Sequence, residues 1–312
     1  VTISGGTYLA STGAQVFNGG LTVSGGTFTG STGIVDVNGN VSITSGTLIA
    51  PSGSFTVNGN WSKTGGTFTP GSSTVTFDAT TGTKTIASGA SAFYNITFDD
   101  GGNSATFELQ DALDVNGSLT ILGGTLDTGS DNAITVGASW TNADTFTPNS
   151  GTVTFDSVTT GNTVTAAESS FYDVTFDGVG GVWTLQGNLT VDNDLTIANG
   201  ELKTGGYAIT MKGDFANAGT FTHENGTVIF SGAATQTFDP GSSTFYDVVI
   251  SNTVADVDLT AHALTVSHIL TISENSSLDL NAMNLTATGA TFTNLGTLKL
   301  AGNQTLTGVT QI

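Results

Sequence analysis

The chain has 312 residues, of which 43 are glycine, and charged residues make up only 10% of it. Twenty-five acidic residues against five lysines give a net charge of −20, which excludes the basic surface that nucleic-acid binding requires and disfavours anionic membranes. Cysteine is absent, which excludes disulfides and thiolate metal sites, and no apolar run is as long as the roughly 18 residues of a membrane-spanning helix. The apolar fraction of 37%, mostly strand-favouring residues, is enough to build a core.

The first 80 residues divide into four blocks of 20 with matching columns. Each block opens on an apolar residue: Val1, Leu21, Val41 and Trp61. The seventh residue of each block is threonine: Thr7, Thr27, Thr47 and Thr67. Each block has three short apolar clusters separated by corners rich in Gly, Ser and Asn, residues that tolerate positive φ. Alternation of apolar and polar residues within the clusters predicts strands with one buried face.

A longer period follows from about residue 74. The sequence Thr-Val-Thr-Phe-Asp at 74–78 recurs at 152–156 and, weaker, at 227–231. This spacing is close to four blocks, so the long unit is a four-coil module. We predict one continuous β-solenoid over 1–312, with four 20-residue coils in 1–80 and longer four-coil modules at 74–151, 152–226 and 227–312.

Stacking is what makes such coils stable, because one coil cannot bury its own apolar residues. We predict an all-β protein, a parallel β-solenoid (β-helix) with three short strands per coil of about 20 residues, roughly 16 coils and almost no helix. An antiparallel β-sandwich array is the main alternative, but its turn signals recur every 8–12 residues or so. The regular 20-residue columns favour the solenoid.

No catalytic motif accompanies these repeats, and we predict that the protein is not an enzyme. The three histidines, His223, His262 and His268, are scattered, and no nucleophile elbow, phosphate-binding loop or zinc-protease motif is present. Trp61 falls in the apolar column of Val1, so tryptophan is predicted in the core rather than on a sugar-stacking surface. Interrupted Thr-x-Thr runs leave an ice-binding face as a further, weaker alternative.

Paired aspartates suggest a cation site. Asp78 and Asp99 are 21 residues apart, as are Asp156 and Asp177, and all four end a Thr-Phe-Asp triplet. On neighbouring coils two such carboxylates would lie about 5 Å apart and would repel unless a cation bridged them. Calcium suits oxygen ligands, and Asp100 adds a third carboxylate beside Asp99, so these five residues, as two separate groups, are predicted calcium ligands. Solvated corner aspartates are the alternative, and no other cofactor is predicted.

The residues at 59–70, 74–78 and 93–98 carry a resemblance to repeats of large secreted bacterial surface proteins. The chain is also broadly similar to the β-helical shafts of filamentous-haemagglutinin-type adhesins and autotransporter passengers. The resemblance implies an extracellular or cell-surface location and a role as fibre, stalk or adhesin without an active site. It transfers no functional residues to this chain.

The two ends of the sequence show strand patterns and no polar cap. Uncapped coils expose core and unpaired backbone, which favours edge pairing, and a head-to-tail contact that does not close makes a filament. We therefore predict a homopolymer that assembles end to end through Val1, Ile3, Val309 and Ile312. Missing flanking segments are one alternative explanation. A stalk or adhesin that contacts polysaccharide or a cell surface is the alternative function.

Overall fold

The structure is a computed structural model, and it describes residues 1–309. It is an all-β parallel β-solenoid of about 15 turns, with about 20 residues per turn, three parallel sheets and no helix among the described residues. The predicted fold class is confirmed, whereas the antiparallel alternative is wrong because every described strand pairing is parallel. The turns are slightly fewer than predicted because several are longer than 20 residues: Trp61 pairs with Ile86 and Thr81 with Ser104.

Two compact units divide the chain, Val1–Thr152 and Val153–Ile312. The strands of the first unit are β1 (Thr2–Ile3), β2 (Thr7–Leu9), β3 (Gln15–Phe17), β4 (Leu21–Thr29), β5 (Val35–Val37), β6 (Val41–Ile49), β7 (Phe55–Val57), β8 (Trp61–Lys63), β9 (Thr67–Thr69), β10 (Thr74–Phe77), β11 (Thr81–Ala87), β12 (Asn95–Phe98), β13 (Ser104–Leu109), β14 (Leu113–Val115), β15 (Leu119–Ile121), β16 (Thr125–Asp127), β17 (Ile134–Val136), β18 (Trp140–Asn142) and β19 (Thr145–Thr147).

The second unit continues the same pattern. Its strands, the first of which begins at the boundary residue, are β20 (Thr152–Phe155), β21 (Asn162–Thr165), β22 (Asp173–Leu185), β23 (Leu189–Val191), β24 (Leu195–Lys203), β25 (Ile209–Met211), β26 (Phe215–Asn217), β27 (Thr220–Thr222), β28 (Thr227–Phe230), β29 (Gln236–Asp239), β30 (Thr244–Ile250), β31 (Asp256–Leu259), β32 (Leu264–Ile272), β33 (Ser277–Asp279), β34 (Leu285–Thr286), β35 (Thr291–Asn294), β36 (Thr297–Lys299) and β37 (Leu306–Thr307).

The columns read from the sequence of the first unit are stacks in space. One sheet runs β1-β4-β6-β8-β11-β13-β16-β19, with β2 on β4 and β9 on β6, and a second runs β3-β5-β7-β10-β12-β15-β18. Apolar side chains at equivalent positions stack on one another, and each is at most 1% exposed: Leu21, Val41, Trp61 and Ile86. The threonine column is likewise in register: Thr7, Thr27, Thr47 and Thr67. The 20-residue circuit is thereby confirmed.

The second unit has the same arrangement. One sheet runs β23-β25-β28-β30-β32-β34-β37, with β35 on β32, and another runs β22-β24-β26-β29-β31-β33-β36. Its core columns are also fully buried. One of them consists of Val191, Met211, Phe230 and Ile250. Larger rings fill other places in this core, such as Phe155 and Phe176, which stack at 5.0 Å.

Some predicted corners are bulges instead. In β4 two of the predicted short strands join into one nine-residue strand, and β6 does the same. The register between β4 and β6 shifts between Val23 and Thr27. The pair Gly25-Gly26 lies there, at one of the predicted corners. A Cβ at Gly25 would collide with the carbonyl oxygen of Ser4 on the adjacent turn. Glycine is required there because the backbones of two turns approach closely, which lets the strand continue through the irregularity.

Candidate functional surfaces

Asp78 and Asp99 lie on neighbouring turns, as predicted. They follow Phe77 and Phe98, which are partners in the pairing of β10 with β12. Both aspartates are partly buried, and Asp78 Oδ1 is enclosed without a hydrogen-bond partner. Burial raises the pKa of Asp78 above its ordinary value, and the carboxylates of Asp36 and Asp99 raise it further. At neutral pH this pair is therefore a site of local repulsion on the first unit.

Asp100 has a different position from its neighbour. Its side chain is fully buried and accepts backbone hydrogen bonds from Gly102 at 2.9 Å, from Asn103 at 3.0 Å and from Ala105 at 3.0 Å. These donors close the corner between β12 and β13. The arrangement supports a structural role for this carboxylate, since its two oxygens already bind three N–H groups.

Asp156 and Asp177, in the second unit, are exposed. They follow the stacked rings of Phe155 and Phe176, which places them on neighbouring turns. Asp177 accepts a hydrogen bond from Asn199 Nδ2 at 2.6 Å. Among residues 1–309 no group of three or more His, Asp or Glu side chains is arranged to hold a metal ion. Calcium bridging by the carboxylate pairs stays a prediction.

Replacing Asp78 by asparagine is expected to stabilise the protein at pH 7 by about 0.5–1 kcal/mol, a modest gain because the carboxylate is half-exposed and screened. Asparagine already occupies the equivalent place on earlier turns, where Asn38 Nδ2 donates to Asn18 Oδ1 at 3.0 Å. The ionised form is the destabilising one, since the folded-state pKa is raised. The gain in melting temperature should therefore vanish below pH 3.8, where the carboxyl is protonated in both states.

The matched control is Asp156→Asn, which removes an exposed carboxylate that also follows a Thr-Phe pair. This variant should leave the melting temperature unchanged within experimental error. A gain from Asp78→Asn that persisted below pH 3.8 would show that repulsion is not its cause.

The second unit contains a ladder of aspartates that the sequence analysis did not predict. Asp173 Oδ1 accepts from the backbone N–H of Asp194 at 3.1 Å, and Asp194 Oδ1 accepts from the N–H of Asp214 at 2.8 Å. Asp214 Oδ1 in turn accepts from the N–H of Thr237 at 2.6 Å. Burial raises the pKa of Asp194, and the carboxylates of Asp214 and Asp173 add to the effect. These carboxylates serve as links between turns.

The aromatic side chains divide into core and surface groups. The three tryptophans, at most 1% exposed, lie in the core as predicted: Trp61, Trp140 and Trp183. On the surface, Tyr246 stacks between His223 and His268 with ring centroids 5.4 and 4.3 Å apart. The two faces of the tyrosine ring are occupied by these histidines, so this stack offers no free central platform for a sugar ring.

A shallow cleft of about 420 Å³ opens on the second unit between β22, β24 and β27. Its lining is mostly backbone, contributed by glycines such as Gly181 and Gly200, with Glu201 and Asn199 as the polar side chains. A Cβ at either glycine would meet the ring of Trp183, so the tryptophan packs directly beneath the floor. The cleft presents hydrogen-bonding groups on the surface of the second unit.

Open strand edges mark the first and last described turns. Among the described residues, β1, β2 and β3 pair only with the following turn, and β35, β36 and β37 only with the preceding turn. Of the predicted assembly residues, Val1 is 47% exposed, Ile3 is buried and Val309 is half-buried, whereas Ile312 lies outside the described residues.

Other apolar side chains are more exposed at these turns than the residues that we predicted. They are Leu9 at 72% and Val16 at 54% on the first turn, and Leu295 at 67% and Leu300 at 55% on the last. The first turn is only partly apolar. Gln15, which accepts a hydrogen bond from the Tyr8 hydroxyl at 2.7 Å, occupies the position that Val35 has on the next turn.

The described part of the chain contains no helix of the length and apolarity needed to cross a membrane. Comparison with family models, with curated proteins and with solved structures finds no match for this chain.

Proposed function

We propose that this protein is a non-enzymatic structural subunit of an extracellular filament or cell-surface fibre, which polymerises head to tail through its first and last turns. The parallel β-solenoid supports the resemblance to secreted bacterial surface fibres, of the kind found in filamentous-haemagglutinin-type adhesins and autotransporter passengers. The observation that carries the proposal is the pair of open three-strand edges. Within residues 1–309, each edge presents N–H and C=O groups that no neighbouring strand pairs, together with exposed aliphatic side chains.

The two edges have matching designs. The first turn contributes three short strands, β1 to β3, and the last described turn contributes three, β35 to β37. A first turn placed on the last turn of a second copy would continue three parallel ladders at once. Because the two surfaces differ, the contact is heterologous, and a heterologous contact that does not close gives an open filament.

Blocking the first edge tests the proposal. Gln15 donates its backbone N–H to Ile34 within the chain, at 2.8 Å, so the alternation of a strand turns the N–H of Val16 toward the open side. Val16→Pro should remove that donor without breaking an internal hydrogen bond, and should shorten or abolish filaments. Sedimentation velocity over a range of concentrations, together with negative-stain electron microscopy, measures the effect.

Val16→Thr is the control, since it keeps both the β-branched shape and the N–H group. It should assemble like the unchanged chain. An unchanged chain that stays monomeric at all concentrations would contradict the filament, and monomers that nevertheless bind polysaccharide would favour the alternative of a stalk or adhesin. The cleft beside Glu201 is the observation that supports that alternative.

A further inference from the structure

Charge is distributed unevenly along the chain. All 25 carboxylates lie between Asp36 and Asp279. Residues 1–77 contain one carboxylate and one lysine and have no net charge, and residues 280–312 contain a single charged side chain, Lys299. The 202 residues between, 78–279, hold 24 carboxylates and three lysines, a net charge of −21. That is about two net negative charges for each 20-residue turn.

These carboxylates are in contact with solvent. Asp100 is the only buried one, and the others are partly or fully exposed. Two of the three lysines of this segment are within reach of a carboxylate, at 3.7 Å for Lys203 and Glu201 and at 2.5 Å for Lys212 and Asp192. Most of the negative charge is thus uncompensated. Two copies brought side by side would repel each other over a Debye length, about 8 Å at physiological ionic strength and about 30 Å at 0.01 M.

Exposed apolar side chains have the opposite distribution. Among residues 1–309, thirteen large apolar residues are exposed, and seven of these fall in the two segments without net acidity. Four belong to the first 34 residues: Val1, Leu9, Val16 and Ile34. Three belong to 295–306: Leu295, Leu300 and Leu306. The surfaces with open strand edges are therefore also the surfaces that are poor in charge and rich in exposed apolar side chains.

We infer that the two kinds of surface direct assembly into a single file. The first and last turns bind a second copy of this chain, because their contact buries apolar side chains and pairs strands without bringing carboxylates together. The acidic segment 78–279 keeps neighbouring filaments apart, because a lateral contact along this segment opposes two strongly negative surfaces. This inference rests on the proposed filament and adds to it the reason why the filament does not bundle.

Neutralising the carboxylates should release bundling. In dilute buffer of about 0.01 M ionic strength at pH 7, we expect filaments one subunit wide. At pH 3, where most carboxyls are protonated, the width in electron micrographs and the cross-sectional radius from small-angle scattering should at least double. Raising the salt at pH 7 to about 1 M, where the Debye length is about 3 Å, should produce the same lateral association. Bundles at pH 7 in dilute buffer would overturn the inference.

A second experiment adds carboxylates where the chain has none. Thr7 and Thr307 are exposed strand residues on the first and last turns, and neither is adjacent in register to an acidic residue. The double variant Thr7→Asp, Thr307→Asp should require about tenfold more protein for half-maximal assembly in dilute buffer, with recovery at high salt. The double variant Thr7→Asn, Thr307→Asn has nearly the same shape without the charge and should assemble like the unchanged chain.

The outcomes distinguish the filament itself from the inference that charge directs its growth. An unchanged chain that never assembles contradicts the proposed function. An unchanged chain that assembles, with aspartate and asparagine variants that behave alike, leaves the filament in place and overturns the inference that charge directs its growth.

Discussion

Replacement of Trp61 by alanine is expected to lower the free energy of unfolding by about 3–5 kcal/mol. The indole is 1% exposed and meets four phenylalanine rings. The closest two contacts, with Phe68 and Phe93, have centroid separations of 4.9 and 5.2 Å. Parallel turns above and below are held by strand pairing, so the site cannot collapse freely around the missing ring. Denaturant unfolding followed by circular dichroism measures the loss.

Two further variants test whether the loss of a buried aromatic ring causes the destabilisation. Trp61→Phe keeps an aromatic ring in the column and should cost clearly less than the alanine substitution. Tyr207→Ala removes a ring that is 40% exposed and should change the free energy of unfolding by less than about 0.5 kcal/mol. If the buried and the exposed substitutions had equal effects, the stack of inward columns would not be the source of stability.

Asp100→Ala is expected to cost about 3 kcal/mol or more, because three backbone N–H groups lose a fully buried acceptor. The neighbouring variant Asp99→Ala removes the hydrogen bond that Gly101 N–H donates, at 3.0 Å on a partly exposed side chain, and it also relieves the repulsion with Asp78. It should cost well under half as much. Melting temperatures of the two variants, recorded in the same buffer, make the comparison.

Asp100→Asn distinguishes a corner acceptor from a calcium ligand. Asparagine retains one carbonyl oxygen for Gly102 and Asn103, but its amide nitrogen faces the N–H of Ala105, so an intermediate loss is expected. The losses should be the same in the presence of a chelator and of millimolar calcium. A loss that appeared only with calcium present would assign Asp100 to a cation site and would contradict its structural role.

The fold was readable from the sequence because the columns keep their chemistry from turn to turn. Leu21, Val41 and Trp61 differ in size but share one position, and twenty residues separate each from the next. Later turns are less regular, as the 25-residue step from Trp61 to Ile86 shows. Lengthened corners are accommodated outside the core, so they change the number of turns without changing the architecture.

The surfaces were harder to predict, because contacts between a corner and its own backbone leave little periodic signal. Asp100 and Asp99 are identical neighbours, yet one is buried and the other is partly exposed. The sequence Asp-Asp-Gly-Gly-Asn at 99–103 is a turn signal that could have indicated backbone capping. The exposure of Val16 also had a signal in the sequence, since Val16 shares its column with Asp36, and aspartate indicates an outward-facing position. That register alone predicts that Val16 is exposed.

Contact between turns is local, and this has an evolutionary consequence. The described ladders join residues about 20 positions apart, so each turn depends on its two neighbours and on little else. Duplication or loss of one whole repeat in the gene therefore preserves the apolar columns and the corner hydrogen bonds at the new junction. Insertion of a few residues within a strand would shift every side chain beyond it. Selection on such a gene acts in steps of one turn, and chain length becomes a freely variable trait.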